Sequence, residues 1–240
     1  QFSTMNTTEF GALTSTQLGS LTTTQVAGFS TTDIAFLTAG QLTGLSSTEL
    51  GAFKGTQLDA LTTTNIATLT AAQISGLSTT GIAGLDTTAF SAFADTQLGG
   101  MTTTQVAAFS TTAMASLSTV QLAGLTTVQI SSLTSPQIAS LSTTSISNLS
   151  IAQFQAMTPA QIGSLTTTQI TALTAAEVGA FTTRQMQGLT ALEIANFVVT
   201  FQIASLTDTA LGALNVTQDN AFTNAQVAVF SASQHTITGR

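Results

Sequence analysis

Apolar residues in this chain come in pairs three positions apart, and the pairs return every eight residues. The series begins Phe2 and Met5, Phe10 and Leu13, Leu18 and Leu21, Val26 and Phe29, and runs without a slip to Ile194 and Phe197. One extra residue then enters within 198–202, and the register resumes at Ile203 and Leu206, Leu211 and Leu214, and Val227 and Phe230. One octad is degenerate, with Asp219 in the first apolar place; counting it, 29 octads cover nearly all of the 240 residues. A period of eight excludes both regular readings. On a continuous helix each pair would be turned ~80° from the last, so the apolar stripe would wind around the cylinder and bury no face. On a strand, residues three apart point to opposite faces and cannot share a core.

A chain of very short helices fits. The position after each second apolar residue is Ser, Thr, Asn or Asp in 26 of 29 octads, the exceptions being Lys54, Ala94 and Val198. Three residues on stands Gln or Glu in 22 of 29, as at Gln17, Gln25, Glu49, Gln105, Glu177 and Glu193. That spacing is the capping box, in which the hydroxyl accepts from the third backbone N–H and the Gln or Glu accepts from the N-cap N–H. The Leu before the cap and the Ile or Val after the Gln occupy the two ends of a hydrophobic staple. Pro159 falls at the first helical position and Pro136 at the second, where a missing N–H does no harm.

Helices this short do not survive alone, so each must bury its apolar pair against neighbours, as in a solenoid. The residue after the first apolar place is Gly, Ala or Ser in 23 of 29 octads, which lets backbones approach closely. The expected fold is an all-α solenoid of very short capped helices with an eight-residue repeat. The alternative is a Thr-rich β-solenoid, in which capping boxes and proline positions would be accidents. Two, three or four octads per coil remain open, because the spacing of Phe29 and Phe53 suggests three while that of Phe93 and Phe109 suggests two. We divide the chain into regular octads over 1–197 and irregular octads with a tail over 198–240. Both belong to one domain, with the second part a cap or docking segment or simple repeat drift. Residues 234–240 leave the pattern.

Composition narrows the function classes. Lys and Arg number three, too few to neutralise a phosphate track, so a basic nucleic-acid surface is excluded. With no Cys and one His, neither a Cys/His metal site nor a disulfide framework can be built. His235 is read as a tail histidine rather than a base or ligand. Asp33, Asp59, Asp86 and Asp95 form no calcium-loop pattern, and Asp33 and Asp86 read as cap-region substitutes. Met5, Met101, Met114, Met157 and Met186 stand at core places. Asn6, Asn148 and Asn215 begin N-glycosylation sequons, although Asn6 and Asn215 also occupy the cap slot. No run of ~18 apolar residues exists, so no membrane span is expected. The sequence designates no catalytic residue, no cofactor-binding residue, no metal ligand and no cofactor.

The consensus Leu-Thr-Thr-Thr-Gln-Ile-Ala-Xaa resembles the short repeats of large secreted bacterial proteins of the haem-utilisation or adhesion-like class. That resemblance covers almost all of 2–233 and implies surface attachment or extracellular assembly. A haem role finds no repeated axial ligand. The segment Leu165-Thr-Thr-Thr-Gln-Ile170 is also similar to the opening of DNA-reading effector repeats of plant pathogens, whose period is longer and surface basic. The expectation is therefore a structural, non-enzymatic, extracellular or cell-surface protein, a subunit that polymerises with itself head to tail into a filament, sheath or stalk. The alternative is an adhesin whose Thr rows meet a carbohydrate (surface glycans), a mineral or ice.

Overall fold

The structure, a computed structural model, describes residues 6–240; the Phe2–Met5 pair lies outside the described residues. These residues form 29 helices, numbered α1 (Thr7–Gly11) to α29 (Ala232–Thr238) in chain order, and include no strand. The fold is an all-α solenoid of short helices, and the β-solenoid alternative falls.

With the exception of α25 (Gln202–Ser205), which follows an uncapped Phe201, the helices start where the sequence predicts. In α21 (Thr167–Ala172) the Thr166 hydroxyl accepts from the Gln169 N–H at 3.2 Å, while Gln169 Oε1 accepts from the Thr166 N–H at 2.8 Å. Pro159 opens α20 (Pro159–Ile162), and Pro136 is the second residue of α17 (Ser135–Ser140). Asp86 caps α11 (Thr87–Ser91), and Asp33 closes a capping box with Ser30. Asn6 and Asn215 are both N-caps. Lys54 and Ala94 contribute no side-chain cap, yet Gln57 and Gln97 still accept from their backbone N–H groups.

Except at α29, whose C-cap Gly239 is left-handed, the helices end without left-handed residues. Instead the chain turns through two extended residues, as at Leu133 (φ −62°, ψ 143°) and Thr134 (φ −77°, ψ 155°). In the octad of α17 six helical residues, Ser135–Ser140, plus two extended ones make the repeat; other helices run from four residues upward.

The tail departs from the expectation. Residues 234–240 do not leave the pattern: Ser231 caps α29 with Gln234 in a full capping box. The apolar signal fails there because His235 takes the first apolar place, its ring set edge-on against Phe230 at 5.6 Å.

The chain divides into two compact units, Gln1–Leu125 and Thr126–Arg240, and the division falls between two regular octads. Within each unit a helix packs on the third helix along. In the first unit α6 (Ser47–Leu50) packs on α9 (Ala71–Gly76), and α12 (Asp95–Gly99) on α15 (Thr119–Gly124). In the second, α20 packs on α23 (Thr183–Gly188), and α22 (Ala175–Gly179) on α25 (Gln202–Ser205). A coil therefore holds three octads.

The paired apolar residues line the interior, with Ile138, Ile146, Ile162 and Ile170 fully buried, and Met101, Met114, Met157 and Met186 among them. Small residues do what their slot implies. A Cβ added to Gly163 would run into the Gly188 carbonyl oxygen of the next coil, and one on Gly188 into the Pro159 backbone. Gly51 and Gly76 repeat the arrangement between α6 and α9.

Candidate functional site

The most regular polar feature of each unit is a ladder of buried glutamine amides joining successive coils. Oε1 of each Gln is spent on its own helix, in the capping box. Its Nε2 reaches back to the coil before. Gln161 donates to Ile130 O and Leu133 O, both at 2.7 Å, and Gln169 to Ile138 O at 2.9 Å and Leu141 O at 2.8 Å. Gln185 does the same with Phe154 O at 2.7 Å and Met157 O at 3.1 Å. In the first unit Gln73 holds Leu42 O and Leu45 O, and Gln105 holds Ile74 O and Leu77 O. The carbonyls lie 31 and 28 residues earlier, at the end of a helix; the first also accepts from the C-cap N–H, as Ile130 O does from Leu133 at 3.2 Å, and the second belongs to the C-cap residue itself. One amide thus caps the start of its own helix and the end of another. Each such bond adds ~1 kcal/mol net, while leaving its buried acceptor unpaired would cost more.

Sequence reasoning found the first role of these glutamines and missed the second. A signal was present: the capping place holds Gln 18 times and Glu four times, and a capping box alone accepts either residue. An amide can both accept and donate, whereas an ionised carboxylate only accepts.

Arg240 performs the same service near the end of the second unit. Its guanidinium donates to Asp219 O at 2.5 Å and Phe222 O at 3.5 Å, the two carbonyl places that glutamine bridges elsewhere, and to Asn220 Oδ1 at 3.1 Å. It also pairs with the Asp219 carboxylate at 3.4 Å. This accounts for the degenerate octad, because an acid is tolerated in an apolar place when a cation lies against it.

The remaining candidates stay apart. His235 Nδ1 lies 2.8 Å from Arg240 O. Asp59 Oδ1 accepts from the Asp86 N–H at 2.8 Å. Burial pushes the Asp59 carboxyl up and the Asp86 charge adds to this, against the lowering effect of that hydrogen bond. Asn148 donates to Thr144 O and stands at the exposed end of its helix. Among the described residues no three His, Cys, Asp or Glu side chains gather into a metal-binding group, and no helix is long and apolar enough to cross a membrane.

Outside, the first two helical positions face solvent. Across α8 (Thr63–Thr68), α11 and α14 (Thr111–Ser116), which stack in the first unit, these slots hold Thr63, Thr64, Thr87, Thr88, Thr111 and Thr112, all exposed. Elsewhere the same slots hold exposed Val120, Leu192 and Val216, so packing places no demand on them.

Helix pattern, coil size and amide ladder together define a repeat protein. Residues 135–167 match the family model of the ALTTAQ repeat. No curated protein matches the chain.

Proposed function

We propose that this chain is a structural protein, an extracellular repeat subunit that builds a surface filament, sheath or stalk by stacking on further copies of itself. The observation that carries this reading is the glutamine ladder. Its buried polar side chains are committed to joining one coil to the next, a joint that further coils can extend. A head-to-tail contact, in which one end of a solenoid fits the other end of the next copy without closing into a ring, generates open polymers. The mechanism is mechanical: apolar pairs form the spine, and amide bonds hold the register of each coil.

Negative-stain electron microscopy of the purified protein across a concentration series tests the proposal. Uniform filaments that lengthen with concentration are expected; particles that stay single at every concentration would overturn it.

The threonine array on α8, α11 and α14 favours a second reading, an adhesin that meets a repeating surface such as a glycan, a mineral or ice. Six exposed hydroxyl-bearing side chains in three stacked rows present a regular polar grid. Glycan-array binding or thermal hysteresis that is lost on replacing Thr63, Thr87 and Thr111 by Val or Lys would support it. Unchanged activity, or none from the start, would remove it.

A further inference from the structure

Two places in the second unit's ladder carry a carboxyl group where an amide belongs: Glu177 in α22 and Glu193 in α24 (Ala191–Ala195). By register Glu177 stands to Ile146 and Leu149 as Gln161 stands to Ile130 and Leu133, the carbonyl pair that glutamine bridges. Glu193 stands in the same relation to Ile162 and Leu165. Glu177 is 1% exposed. Its Oε2 accepts from the Thr174 N–H and the Thr174 hydroxyl, both at 2.8 Å. Its Oε1 is buried with no hydrogen-bond partner. An ionised carboxylate brings only acceptors to a place already lined by carbonyl acceptors, whereas a protonated one brings the missing donor.

We propose that Glu177 carries a proton on Oε1 and donates it to the Ile146–Leu149 carbonyl pair, so that this joint is fastened by a proton and loosened when the proton leaves. Glu193 forms a second joint of the same kind, its Oε2 accepting from the Thr190 N–H at 2.5 Å. The chain thus mixes permanent fasteners, the glutamines, with acid-dependent ones.

No other charge competes at Glu177. Its packing partners α19 (Ile151–Ala156) and α25 carry no titratable side chain, and neither does α18 (Thr143–Ser147), which precedes the target carbonyls. On the following helix α23, Arg184 is exposed. Around Glu193, α21 and α20 carry none, and α27 (Val216–Asp219) carries Asp219, already paired with Arg240. Burial pushes both carboxyls above their ordinary value of 4.5, with the Thr174 and Thr190 hydrogen bonds pulling the other way. A folded-state value raised in this way gives stability that is fully present below the unfolded value and lost as pH rises through the folded one.

The test compares thermal unfolding of the full chain with that of the Glu177→Gln/Glu193→Gln variant from pH 4 to pH 8. The two should melt together at pH 4. The wild type should fall behind as pH rises, by roughly 2–4 °C at pH 8. A gap that does not change with pH, or a wild type that gains on the variant as pH rises, would overturn the proposal. Infrared spectroscopy of the wild type alone decides the matter if the variant does not fold. A protonated-carboxyl C=O band persisting at pH 6 is expected, and its absence would overturn the proposal.

Discussion

The stretch from Thr158 to Leu189 and the stretch from Val198 to Arg240 make the same coil-to-coil joints from very different sequences. In the first, cap and apolar pair hold in every octad, Glu177 alone replaces an amide, and the amides reach back 28 and 31 residues. In the second an extra residue has entered, Val198 cannot cap and Asp219 breaks an apolar pair. Yet Gln202, Gln218 and Gln226 each bridge the expected two carbonyls, now 29 and 32 residues back. Gln234, whose span no longer includes the insertion, returns to 28 and 31. The extra residue is absorbed in a turn before Gln202, which still accepts from the Val198 N–H at 2.6 Å, and Phe201 is displaced to the surface. Register is therefore held in space by the amide, and the residue count between joints can vary.

The largest effect is expected from removing an amide. Gln169→Met keeps the side-chain volume but strands the buried Leu141 carbonyl and a cap N–H, and leaves Ile138 O with the Leu141 N–H, for a loss of about 3 kcal/mol in chemical denaturation. Gln202→Met in the irregular stretch should cost as much. A loss several-fold smaller there would mean that the two stretches are held differently. Next comes Gly163→Ala, which forces apart the α20 and α23 backbones at a cost of about 1–3 kcal/mol. A neutral result would show that this approach is not tight. In the first unit, Ala94→Ser supplies the missing cap of α12 and should stabilise by about 1 kcal/mol. The smallest effect is expected from deleting Thr200, which restores the eight-residue count; the denaturation midpoint should hardly move, because the turn at 199–201 contributes to no joint.

Most of the local structure could be read from the residues. Thr or Ser followed by Gln set the helix starts, and Pro136 and Pro159 agreed with them independently, because capping is chemistry within four residues. The coil size could not be read, since it depends on which carbonyls lie beside Gln161 or Gln169 in space, and those are far back along the chain. Phenylalanine spacing was a poor guide because rings pack within a coil as well as between coils: Phe90 meets both Phe93 and Phe109. The tail was misread for a related reason. His235 and Thr238 hide the apolar period, while Ser231 and Gln234 keep the polar one. The interlayer amide was visible only as an excess of Gln over Glu, whose meaning appears once a donor is required as well as an acceptor.

The central claim is that three octads make a coil. The chain has no cysteine, so spin labels can be placed cleanly at T143C and A191C, the first helical positions of α18 and α24, both exposed and six octads apart. Two coils of packed helices predict a label separation of about 16–20 Å by pulsed electron paramagnetic resonance. A separation of about 24–30 Å, as three two-octad coils would give, would contradict the account.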